Sequence, residues 1–260
     1  MSATASAKDR RFGRLIERRG GADFPFYNLV PVEVATWKWL VIILSCIVGF
    51  LVLVLIPFES QLLLLIPRVF FTGIQLVVFA LLVRPDWRAI FRAVKGADIG
   101  VILLFAVINL VVALIMGVIV KSIFGANADA ATAGIADLSP LEMTAFFVGT
   151  AIQILGEELF TILPFLALLY WFHKAGMSRR PAVVLALFVS AIWFGLAHLP
   201  AYDWNIIQVL LVIAISRLIL TLAYIRTKNI WVSFGVHLLH DWVGFIFLIV
   251  TGGAVGAALM

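Results

Sequence analysis

Charge is scarce in this sequence: Asp, Glu, Lys and Arg make up 13% of 260 residues, against 64% hydrophobic residues. A soluble domain carries about twice that charged fraction, so there are too few ionised side chains to cover a water-facing globule. With a mean hydropathy of +1.15, the chain reads as an integral membrane protein, which excludes a soluble enzyme, a nucleic-acid-binding module and a disordered linker. Cysteine is nearly absent as well. The single Cys46 lies inside an apolar run, which excludes an intrachain disulfide or a Cys-based zinc site, and it reads as a small buried apolar residue. A cleavable signal peptide is not expected, because the basic stretch Lys8 to Arg19 is not promptly followed by a short apolar region with a small-residue cleavage site.

What the chain has instead is long apolar runs. A window of about 20 residues picks out seven: 39–58, 60–83, 99–120, 142–172, 182–199, 206–225 and 230–250. This predicts an all-α, polytopic transmembrane bundle of about seven helices. The fourth run would extend about 45 Å against a hydrocarbon core of about 30 Å, so tilt, a kink near Gly149 or Gly156, or a protruding end is expected. The net charge of +5 does not point to nucleic acid, because the basic residues lie between the runs. Sixteen of the nineteen fall in alternate connections, with only Lys121 on the other side and Arg68 and Arg217 inside runs. The positive-inside rule then places the N-terminus in the cytoplasm and the C-terminus outside. Residues 1–36 read as a basic cytoplasmic arm serving as an orientation signal, 37–138 as N-terminal transmembrane helices and 251–260 as a tail. Trp37, Trp39, Trp87, Trp171, Trp204 and Trp231 sit near run ends and read as interface anchors.

The informative residues are polar ones inside apolar runs, since a charge near the bilayer centre costs a few kcal/mol. They are Arg68, Glu157, Glu158, His198, Arg217, His237, His240 and Asp241. Glu157 and Glu158 are adjacent, about 100° apart on a helix, so at least one must line a polar interior. His237 and Asp241 share a helix face. Asn109 and Gln153 read as helix-to-helix hydrogen-bonding residues, and His240 as a packed helix residue. A carboxylate kept ionised in a wet cavity can act as a general base, and an imidazole can donate to an oxyanion or ligate a metal. Three readings stay open on these residues alone: a hydrolytic site on three helices, an ion- or proton-coupled transporter, and structural polar networks. The spacing lacks H-E-x-x-H and is weak support for zinc.

Gly156-Glu157-Glu158, then Phe194-Gly195-Leu196-Ala197-His198, then His237-Leu238-Leu239-His240-Asp241 together resemble the CPBP family of intramembrane proteases. That family, also called Abi, includes type II CAAX prenyl endopeptidases and bacteriocin-processing or bacteriocin-immunity proteins. The resemblance covers about residues 140–248 and marks 139–250 as an intramembrane protease domain. It implies that Glu157 activates water for attack on a peptide carbonyl with help from His198, while His237 and Asp241 hold the oxyanion. It also implies a peptide or membrane-protein substrate within the bilayer. Both a metal-dependent and a metal-independent glutamate mechanism are compatible with it. Without cysteine or tight ligand spacing for zinc, the metal-independent form is favoured. The chain departs from the family pattern E-E-x-x-x-R, having Ile162 where the arginine stands. Glu158 then needs another cation, and Arg217 from the sixth run is expected within about 6 Å, with Arg68 a weaker candidate. The departure also keeps a non-catalytic member, acting in immunity or scaffolding, among the alternatives. Depth is a further difficulty. His198 stands at the far end of its run, whereas His237 is about 10 Å from the near end of the last, so tilt or a more deeply set fifth helix is expected.

Overall fold

The computed structural model describes residues 10–18 and 22–251. Lys8 and Arg19, which bound the predicted basic arm, and residues 252–260 of the predicted tail lie outside the described residues. Among the described residues, seven helices are long and apolar enough to cross a membrane: α1 Thr36–Leu55, α2 Gln61–Leu82, α3 Gly96–Phe124, α4 Pro140–Lys174, α5 Arg179–Ala197, α6 Ile206–Thr227 and α7 Ile230–Val250. The protein is an all-helical, multi-pass membrane protein.

Local chemistry sets the helix starts. Ser139 and Glu142 form a capping box at the head of α4, with Pro140 in the first turn, a position where its missing N–H costs nothing. Ser60, Asn205 and Asn229 accept backbone N–H groups at the starts of α2, α6 and α7. Helix α4 is the central post, with 72% of its apolar window buried, and it packs on α2, α5 and α7. It runs as one α-helix of 35 residues, with no break in the helix at Gly149 or Gly156. Both glycines instead admit α2: a Cβ at Gly156 would lie 2.7 Å from Phe71 ring carbons, and one at Gly149 would meet Arg68.

Helix α6 is interrupted by a π-helical turn at Val209–Ile213. A Cβ at Gly195 of α5 would lie 2.8 Å from the Val209 carbonyl oxygen and 3.0 Å from the Ala214 Cβ. Glycine therefore lets α5 press against the turn that precedes Arg217. Cys46 is fully buried. So is Trp39, which packs edge-on to Phe26 and tilted against Tyr170, and this corrects the interface role expected of it.

The N-terminal segment is more than an orientation signal. Glu17 is buried, accepts two hydrogen bonds from Arg179 at 2.8 and 2.6 Å, and pairs with Lys228. Arg179 also reaches Asp23 at 2.6 Å, and Arg18 pairs with Asp98. Burial pushes Glu17 up, but the Arg179 hydrogen bonds and the Lys228 charge outweigh it and hold the carboxyl at about 2. Burial brings Lys228 down to about 8 against the opposing pull of Glu17. Lys228, in the left-handed region at φ 54°, makes the turn between α6 and α7. That turn is itself buried, at 3% exposure for Lys228 and 2% for Asn229, with Phe24 packed against it. The N-terminal segment thus fills the space next to the turn, and His237 lies only eight residues beyond Asn229.

Candidate active site

Glu158 is fully buried and clasped by Arg217, whose Nη1 and Nη2 donate to Oε1 and Oε2 at 2.7 and 3.0 Å. The pair is bidentate, the geometry that best matches guanidinium to carboxylate. Arg217 is also fully buried; its Nε donates to Thr221 at 3.3 Å and its guanidinium lies 5.0 Å from the Phe194 ring centre. Position 162, where the family pattern has arginine, holds an Ile buried in the main apolar cluster.

His237 completes the buried group. Its Nδ1 lies 3.0 Å from Glu158 Oε1. A carboxylate already holding a guanidinium accepts, so the imidazole donates there and presents Nε2 outward. That Nε2 stands 3.6 Å from Glu157 Oε2 and 3.6 Å from Asp241 Oδ2. Separations of this length suit one bridging oxygen, from a water or a substrate, better than direct bonds. Glu157 keeps 12% of its side chain exposed, and its Oε1 accepts from Gln153 Nε2 at 2.8 Å. Glu157, Glu158, Arg217, His237 and Asp241 are thus drawn together from α4, α6 and α7.

His198 is placed differently. It caps α5, and its Nδ1 lies 2.8 Å from the Phe194 carbonyl oxygen. A carbonyl can only accept, so Nδ1 carries the proton and Nε2 is free. Among the described residues, no carboxylate oxygen lies within 4.0 Å of His198. Phe194 links it to the rest, with ring centres 4.5 Å from His198 and 6.1 Å from His237. His240 does not join the group, and its buried Nδ1 finds no partner. Asn109 accepts from Ser216 across α3 and α6 at 2.9 Å.

Three contributors were not legible as such in the sequence. Gln153 is one, although its place four residues before Glu157 was a usable signal. Phe194 touches both histidines and Arg217. The third is Asp129, in the connection between α3 and α4, which lies within electrostatic range of His198, Glu157 and Asp241. Burial raises its carboxyl above the usual value and the Glu157 charge adds to this, against the Ala131 N–H and His198. The connection is pinned by Asn127, which exchanges hydrogen bonds with Gln208 at 2.8 and 2.9 Å and donates to the Tyr202 carbonyl at 3.1 Å. Nothing in its Ala- and Gly-rich sequence marks it as part of a site.

Residues 139–243 match the family model for type II CAAX prenyl endopeptidase Rce1-like proteins. This region is similar to that family. It contains all five of the converging side chains and His198, while Arg68 and Asp129 reach the site from outside it. No curated protein and no solved structure matches the chain. Among the described residues, no group of three His, Cys, Asp or Glu side chains is arranged to hold a metal ion. The matched region as it stands offers two adjacent carboxylates, one of them clasped by a guanidinium, and two imidazoles.

Proposed function

We propose that this protein is an intramembrane endopeptidase that hydrolyses a peptide bond in a membrane-associated substrate, such as a prenylated or leader peptide or a membrane protein. The observation that carries the reading is that Glu157 and Asp241 both face His237 Nε2 at 3.6 Å inside the matched region. Glu157 takes a proton from water as the hydroxyl oxygen bonds to the scissile carbonyl carbon. His237 acts as the imidazolium, with Nδ1–H held by Glu158 and Nε2–H, flanked by Asp241, donating to the oxygen that becomes negative in the tetrahedral intermediate. As the C–N bond breaks, the proton held by Glu157 passes to the leaving amine, and His198 Nε2 assists at the rim. In this reading no step is routed through a metal.

Arg217 supports this reading over a non-catalytic immunity or scaffolding role. The cation missing at position 162 reaches Glu158 from another helix, so the carboxylate pair keeps its electrostatic support. The transporter reading calls for helices unwound near the midplane, whereas α4 and α7 run unbroken past the site and the π turn of α6 stays within one continuous span, Ile206–Thr227. The test is purified protein with two fluorescence-quenched peptides, one carrying a farnesylated cysteine near its C-terminus and one unmodified. Cleavage by wild type, reduced about 100-fold or more in Glu157→Gln as befits loss of a general base, is the expected result. Equal rates for the two proteins would remove Glu157 from the mechanism.

A further inference from the structure

We propose that Arg68 of α2 is a positioning residue for Glu157, acting through the Gln153 amide. The idea rests on the catalytic reading of Glu157 above and adds a part to it: each glutamate of the pair has its own arginine, Arg217 directly and Arg68 at one remove.

Arg68 is 5% exposed in the middle of a membrane-spanning helix. Its Nε donates to Gln153 Oε1 at 3.2 Å. A guanidinium only donates, so this contact fixes which end of the amide faces α2. The NH2 end is thereby turned to Glu157, where it donates to Oε1 at 2.8 Å. With Oε1 tied, Oε2 is the oxygen left facing His237 and the reacting water. The amide passes on orientation, and the guanidinium adds positive potential near the base, since Glu157 lies within electrostatic range of Arg68.

A link between two helices does not need a charge. A neutral donor at position 68 could hold Gln153 without the cost of a few kcal/mol that a cation carries inside the bilayer. The sequence also makes room for this arginine. A Cβ at Gly149, one turn before Gln153, would lie 3.0 Å from Arg68 Cδ as well as close to Nη1, and a helical glycine sacrifices about 1 kcal/mol of helix propensity. The guanidinium also lies 5.7 Å from the Phe146 ring centre, while Nη1 is buried without a partner. No carboxylate oxygen among the described residues comes within 4.0 Å of Arg68. The charged and titratable groups around Glu157 are Arg68 from α2, Asp129 from the α3–α4 connection, Glu158 beside it on α4, His198 at the end of α5, Tyr202 in the α5–α6 connection, Arg217 on α6 through Glu158, and His237 and Asp241 on α7.

The discriminating variant is Gln153→Glu. It keeps an acceptor for Arg68 and so preserves the bridge between α2 and α4, but it sets an acceptor against Glu157 where a donor stood. With the farnesylated peptide, Gln153→Glu and Arg68→Gln are expected to lower kcat about tenfold or more with KM within about twofold, and Gln153→Glu to keep the unfolding temperature of wild type. A second readout does not depend on turnover. The protonated-carboxyl infrared band assigned to Glu157 by its loss in Glu157→Gln should emerge in Arg68→Gln at a pH where wild type shows none. If both variants retain wild-type kcat and band while Glu157→Gln is inactive, the relay is wrong and the catalytic reading stands. If Glu157→Gln is itself fully active, the catalytic reading fails instead.

Discussion

Removing the Arg217 guanidinium while keeping its bulk, as in Arg217→Met, strands the Glu158 carboxylate in a place with no exposure at all. Breaking one partner of a buried pair costs about 3–5 kcal/mol, because the survivor is left charged and dehydrated. Two features put this protein toward the upper part of that range. The contact is bidentate at 2.7 and 3.0 Å, and the remaining partner of Glu158, His237, donates only one hydrogen bond. Neutralising both members, as in Glu158→Gln with Arg217→Met, should recover about half of the loss or more. Arg217→Lys should not substitute well, since a point charge cannot make the fork. The structure also specifies a rescue. Position 162 is one turn beyond Glu158 on the same helix, so Ile162→Arg should restore part of the stability in an Arg217→Met background yet destabilise the parent, where it would bury a second cation beside one carboxylate. Reversible unfolding in detergent micelles, arranged as a double-mutant cycle, measures these quantities. A cost below about 1 kcal/mol for Arg217→Met, the level of an exposed pair, together with additivity in the double variant, would refute the reasoning.

Gly195→Ala should lower activity and stability together, because its Cβ would come 2.8 Å from the Val209 carbonyl and push away the π turn that leads to Arg217. Peptide cleavage with parallel thermal unfolding reads both, and an unperturbed variant would mean the close approach of α5 and α6 is incidental. The N-terminal ion cluster should give an acid-dependent stability. Glu17 is held at about 2 against an ordinary 4.5, so between those values the unfolded chain binds more protons. The cluster's contribution is then complete above about pH 4.5, falls as pH drops toward 2, and amounts to a few kcal/mol in all. Unfolding measured over that range in wild type and Glu17→Gln should show a steeper acid loss in wild type, and parallel curves would contradict the assignment.

Much of this was legible because the bilayer is a demanding solvent. Seven apolar runs became seven helices, with limits shifted by a few residues where capping groups such as Ser139 lie outside the hydropathy window. Arg217 could be matched to Glu158 in advance because a charge inside a span must find its opposite. Glycines were harder to interpret. At Gly149 and Gly156 the same residue type that permits a kink permits close approach, and only the neighbouring helix decides between them. Gln153 and Asp129 escaped for different reasons: one depends on which way an amide is turned, the other on the path of a loop. The acidic residues Glu17 and Asp23, set within an otherwise basic arm, were a usable signal of docking, but positive charge dominated the reading. The gap between His198 and His237 is spanned by Phe194, which packs on both imidazoles, and a hydropathy window does not show that the turn at Lys228 and Asn229 is buried.

That buried turn also has a consequence for the order in which the molecule is made. Glu17 leaves the ribosome early, yet its partners Arg179 and Lys228 are 162 and 211 residues further along. At about 5–20 residues per second, the segment around Glu17 waits roughly ten to forty seconds before its docking site exists. It is therefore seated only after the later helices are made, and it closes the turn from which the helix carrying His237 and Asp241 starts.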